Sequence, residues 1–284
     1  MVPRNELRNA TPPPPREVIL KLLAVADGDV LSTREAVAGC AVLGISENHA
    51  RVALVRLSAA GLIEAAGRGA YRLGAAAEQL AAEVAQWRAG EARVRSWNGQ
   101  WIAVHTAPLG RRDRVAVRAR DRALELLGLR ELDPGLYLRP DNLAGGVARV
   151  RERLLALGLE ADACVFVAGN FDDEREQRTR KLWDGKALTR RYEQGRARLE
   201  SWMARAGELD GEVAARESYR LGDAAIRDLV FDPLLPDPLV DTRARAAYTQ
   251  AVLRFDRAGH AIWRALALPP ARERGARAAA RRTH

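Results

Sequence analysis

The sequence predicts an α+β chain built in three parts, and three observations lead to that reading. Residues 16–74 alternate capped helical segments with two short strand-like runs around a Gly-Arg-Gly turn. Residues 97–171 follow a strand–helix–strand–strand–helix–strand order. From residue 172 to 268 only helical periodicity remains, interrupted once by a proline-rich connection. The chain has 284 residues and 48% hydrophobic content, enough for two or three domains with real cores.

The segment 1–15 reads as a flexible arm, because Pro12 to Pro15 cannot form a helix interior. Pro15 suits the first helical turn, and a helix is expected over about 16–26. Ser32 and Thr33 are candidate N-caps for a second helix over about 33–43, which Gly44 ends. Ser46 caps a third, over 47–60, whose apolar set Ala50, Ala53, Leu54 and Leu57 has helical spacing. Gly61 is a C-cap. Strands are expected at 62–64 and 70–73 about the Gly67-Arg68-Gly69 turn. Helix, helix, turn, helix, strand, turn, strand is the order of a winged helix-turn-helix, expected over 16–74.

Residues 75–96 read as a linking helix, with Leu80, Val84 and Trp87 as candidate dimer-interface residues. The central part, 97–171, has strands at 101–106, 130–132, 135–139 and 163–167 and helices at 113–127 and 143–157. That βαββαβ order implies a ferredoxin-like sandwich. An all-α domain is expected over 172–268, and a basic flexible tail over 269–284, where five arginines face Glu273 alone.

The net charge is +9 and the pI about 10.3, which favours a polyanionic partner. No apolar run approaches the roughly 20 residues of a membrane-spanning helix, and residues 1–16 lack a signal-peptide core. A soluble cytoplasmic protein is the expectation. Cys40 and Cys164 stand in apolar stretches and read as buried free thiols. The four histidines show no metal-ligand spacing, and no cofactor is implied.

An α-helix fits the major groove of B-DNA, and its first turns meet base edges. The third helix has the required distribution. Ser46, Glu47, Asn48, His49 and Arg51 cluster at its start, and small apolar residues occupy the other face. Asn pairs bidentately with adenine, and Arg with guanine or a phosphate. Ser46 can offer its hydroxyl or the helix amides to a phosphate. Arg68, in a thin glycine turn, and Arg72 complete the candidate DNA-binding set. Glu47 would accept from cytosine N4 or orient an arginine.

These residues carry a resemblance. Gly44-Ile45-Ser46-Glu47, Arg51, Ala53-Leu54, Leu57, Gly61-Leu62, Gly69 and Tyr71 resemble the N-terminal domain of the PaaX family of bacterial repressors. Trp97-Asn98-Gly99-Gln100-Trp101, Leu127-Gly128-Leu129, Gly135 to Pro140, Leu182-Trp183 with Tyr192, and Asp232 to Pro236 resemble later signatures of that family. The resemblance implies a dimeric repressor of aromatic-acid catabolic genes, bound to a double-stranded operator and released by phenylacetyl-CoA or a similar acyl-CoA. Two positions depart from the family: Thr106 stands where an Asp is usual, and Val240 to Arg243 lack its Trp and Gly. A CoA thioester needs arginines beside aromatic and apolar walls. Trp183, Arg190, Arg191, Tyr192, Tyr219, Arg220 and Arg227 supply those chemistries, as do Trp202 and Phe231.

Two other readings compete. A metal-dependent nuclease of the CRISPR-adaptation type, suggested by the family's central fold, needs clustered carboxylates. Thr106 removes one, and the run Asp172, Asp173 and Glu174 suits an ordinary helix N-terminus. A purely architectural DNA binder would leave the two later domains without a task. A regulator and not an enzyme is therefore expected.

Overall fold

The computed structural model describes residues 12–24, 26, 30–75, 77, 78 and 85–267. The chain is α+β, with two antiparallel sheets among these residues. Its contacts separate it into two compact units. One comprises Met1–Ala85, Ser201–Asp223 and Arg254–His284, and the other Gln86–Glu200 and Ala224–Leu253.

In the first unit, α1 (Pro15–Leu23) starts with Pro15 in its first turn, where a missing N–H costs nothing. The two-residue β1 (Leu31–Ser32) leads into α2 (Thr33–Val42). Ser32 and Glu35 cap each other's backbone N–H groups, and this hydrogen bonding to Ser32 lowers the Glu35 pKa. Then come α3 (Glu47–Ala59) and the hairpin β2 (Ile63–Ala65) and β3 (Ala70–Leu73), with sheet order β1-β3-β2. Gly74 has no alternative residue: a Cβ there would stand 2.3 Å from the Gly61 carbonyl oxygen. Val18, Ile19, Leu23, Ala36, Cys40, Ala50, Leu54, Leu57 and Ile63 form the core, with Tyr219 and Trp263 packed against it. Burial raises the Cys40 thiol pKa to about 11.

In the second unit, β4 (Trp101–His105), α4 (Arg114–Leu126), β5 (Arg130–Asp133), β6 (Leu136–Pro140), α5 (Gly146–Ala156) and β7 (Cys164–Ala168) follow in order. The strands lie side by side as β5-β6-β4-β7. β4 pairs antiparallel with β6 from Trp101↔Pro140 to His105↔Leu136, and with β7 from Trp101↔Ala168 to His105↔Cys164. Ile102, Val104 and Val165 pack with Leu124 and Leu127 near α4 and with Val150 and Leu154 of α5. Trp101, on the alternate face, stacks on Trp183 with ring centroids 6.0 Å apart and donates to Glu176 at 3.0 Å. Arg139 is buried and donates to the carbonyls of Leu127, Pro140 and Pro233 and to Asn142. Desolvation lowers its pKa to about 9.

Helix α6 (Asp173–Arg180) belongs to this second unit. Three long helices, α7 (Gly185–Arg205), α8 (Gly211–Val230) and α9 (Thr242–Ala267), each contribute residues to both units. The segment 172–268 therefore does not stand apart as one helical domain. Part of its apolar surface is used on the N-terminal core, through Tyr219 and Trp263; Arg216 also donates to the Val42 carbonyl at 3.1 Å, and Lys21 pairs with Asp223.

Three expectations are corrected. The linking helix does not continue to residue 95. Short 3-10 turns occupy Gln86–Ala89 and Glu91–Arg93 about Gly90, and Val94 bridges to Leu143. Trp87 is buried within its own chain and is not free for a dimer interface; Leu80 and Val84 lie outside the described residues, as do the arm 1–11 and the tail 268–284. Cys164 is exposed, because β7 is an edge strand and its companion face is incompletely covered there; Phe166 on the same face is exposed too.

Candidate nucleic-acid interface

Helix α3 is held from within. Ala50, Ala53, Leu54 and Leu57 are buried, which fixes its rotation about its own axis. Ser46 caps it: the His49 N–H donates to Ser46 Oγ at 3.4 Å, and that oxygen also meets His49 Nδ1 at 3.1 Å. Glu47, Asn48, His49 and Arg51 are all exposed. Arg51 lies one turn beyond Glu47 and donates to its carboxylate at 2.8 Å through Nε. Glu47 thus orients the guanidinium along the helix flank.

The hairpin holds the other two cations. Arg68 is exposed in the Gly67-Arg68-Gly69 turn, where both glycines have positive φ. Arg72 pairs with Glu64 on the adjoining strand, and both are largely exposed. Ion pairs this exposed are worth about 0–1 kcal/mol. Phosphates can displace such carboxylates at little cost.

The rotation of α3 also presents residues that a search for polar side chains passes over. Successive helix positions turn by about 100°, so the line opposite the buried set is Asn48, Val52, Val55 and Ala59. Val55 is 67% exposed and Val52 39%. The signal was available in the spacing, since these positions interleave with the apolar set. Arg56 is exposed as well, on the flank shared with His49.

The candidate effector residues are distributed differently. Trp183, Arg190, Arg191, Tyr192 and Arg227 belong to the second unit, whereas Tyr219 and Arg220 belong to the first. Trp183 is buried and donates to the Gly128 carbonyl at 3.2 Å. Gly128 has φ +71, and a Cβ there would meet Pro233 at 2.6 Å. Tyr192 is buried and stacks on Tyr248 at 6.1 Å. Burial, with the neighbouring Asp232, raises the Tyr192 phenol pKa; burial likewise raises that of the Asp232 carboxyl. Tyr219 meets Trp263 edge to face at 6.4 Å, with Lys21 over its ring. Trp202 packs on Phe255 and donates to Glu217. Arg190, Arg191 and Arg227 are exposed; Arg220 and Phe231 are half-buried. The aromatic members are thus packing residues.

Among the described residues no three His, Cys, Asp or Glu side chains are grouped as a metal site. Asp172 caps α6, accepting from the Arg175 N–H at 2.8 Å, and Thr106 donates to the Gly135 carbonyl from a buried position. Also among these residues, no helix is long and apolar enough to cross a membrane.

These features define an α+β protein that presents a capped, exposed helix beside a short basic hairpin. Residues 183–265 match the family described as PaaX-like protein C-terminal domain, and that part of the chain is similar to it. Among solved structures, the chain is similar to "Uncharacterized protein Rv0674 from Mycobacterium tuberculosis". The identity is 25% and the TM-score 0.56, with 87% of this chain and 97% of that one covered. No curated protein matches significantly.

Proposed function

We propose that the chain is a PaaX-like DNA-binding transcriptional regulator, a homodimeric cytoplasmic repressor of aromatic-acid catabolic genes. In this reading residues 16–74 are a winged helix-turn-helix, with α3 as recognition helix and the β2–β3 hairpin as wing. Residues 97–171 are a ferredoxin-like platform. The effector is of acyl-CoA type, such as phenylacetyl-CoA, and the match at 183–265 to a PaaX-like domain supports that class.

The observation that carries the reading is the orientation of α3. Its buried face is fully used, and its free face presents Asn48 and Arg51 from the first turns, where a helix lying in the major groove meets base edges. Arg68 and Arg72 stand on the hairpin, the place from which a wing reaches the backbone.

Fluorescence anisotropy against DNA upstream of the protein's own gene, over a salt series with scrambled DNA as control, tests this. The expected result is selective binding that weakens steeply with salt and is reversed by acyl-CoA. No binding at any salt would overturn the reading.

A further inference from the structure

The exposed line Asn48, Val52, Val55 and Ala59 turns apolar after its first member. A helix face that meets only water carries charged or polar residues at such positions. Valine is also a poorer helix former than alanine or leucine, so it does not serve α3 itself. Nor does it serve the core, which Ala50, Ala53, Leu54 and Leu57 complete.

The surroundings indicate what the valines meet. Arg51 and Arg56 flank the line on its two sides, and the hairpin carries Arg68 and Arg72, all exposed. An apolar strip bordered by cations complements a polyanion with an apolar floor. In the major groove the apolar group on a base edge is the thymine C5-methyl. From Asn48 to Val55 the helix rises about 10 Å at 1.5 Å per residue. That covers about three base pairs at the 3.4 Å step of one strand.

Resting on the DNA-binding reading above, we propose that Val52 and Val55 are specificity-determining residues that read thymine C5-methyl groups beside the base contacted by Asn48.

The test starts with selection of binding sites by the full chain from randomised duplexes. Each thymine of the selected site is then replaced by deoxyuridine, which removes only the methyl. Wild-type protein should bind about three- to five-fold more weakly at one or two positions, the size of one methyl withdrawn from an apolar contact. Val52→Ala or Val55→Ala should each abolish the thymine-over-uracil preference at its own position. Both side chains are exposed, so the variants keep the core of α3. Val55→Ile should retain the preference.

A selected site without thymine would overturn the inference. So would equal binding of thymine and uracil sites by a protein that still rejects scrambled DNA, or a preference that survives both alanine variants. In these three cases the DNA-binding reading stands. Failure to select any site sinks both.

Discussion

The exposed face of α3 and the aromatic cluster around Trp183 use their hydrogen-bonding groups in opposite ways. On α3, Asn48, His49 and Arg51 are exposed; His49 meets the capping Ser46 and Arg51 pairs with Glu47, both exposed themselves. Around Trp183 the polar atoms point inward: its indole N–H is spent on Gly128, and Trp101 stacks against its ring. A polar or aromatic group is therefore available to a partner only where its own chain has not already used it. That comparison yields predictions for both regions.

Trp183→Ala should have the largest effect. It removes a buried ring and leaves the Gly128 carbonyl without its partner, and a loss of about 3–5 kcal/mol is expected for such a truncation. Urea denaturation of the full chain measures it. A loss below about 1 kcal/mol would show that the ring is not a packing anchor.

Arg51→Ala should leave stability within about 1 kcal/mol, since its pair with Glu47 is exposed. The same change should weaken operator binding by about 1–3 kcal/mol if the side chain contacts a base, or lower the salt slope by about one if it contacts a phosphate. Unchanged affinity and slope would remove Arg51 from the interface.

Ser46→Ala should cost about 1 kcal/mol of stability through the lost cap. Ser46→Asp keeps the cap but places a carboxylate toward the phosphates. It should restore stability and not DNA binding, a split measurable by melting and anisotropy together. Restoration of both would show that Ser46 acts as a cap alone.

The cysteines give the smallest effect and separate surface from core most directly. Cys164 should react with a thiol reagent in the native protein at pH 8, and Cys40 only on unfolding. The folded pKa of Cys40, about 11, lies above its ordinary 9.0, so the folded state holds the proton more tightly. The stability contributed by that thiol is complete below about pH 9 and is lost as pH rises towards about 11. A Cys40→Ala protein should lack that alkaline component in a comparison of denaturation midpoints.

Local signals proved the most readable part of the sequence. Ser32, Ser46, Gly44 and Gly61 marked helix ends to within a residue or so, because caps and positive-φ glycines act within one turn. The polar start of α3 was legible for the same reason. Three things were not. β1 is two residues long and forms only through its pairing with Tyr71 and Ala70, too far along the chain to leave a periodic trace. The 3-10 turns around Gly90 arise where Trp87 is buried, a tertiary choice that overrides helical periodicity. The exposure of Cys164 depends on which neighbours cover it, and apolar letters alone read as interior.

The path of the chain through the two units has an evolutionary corollary. The first unit takes residues from three separate stretches of sequence, and the second from two. Tyr219 and Trp263, more than a hundred residues downstream, complete the apolar seam on the N-terminal helices. A recombination event that carried off residues 1–85 alone would deliver them to a new host without that seam.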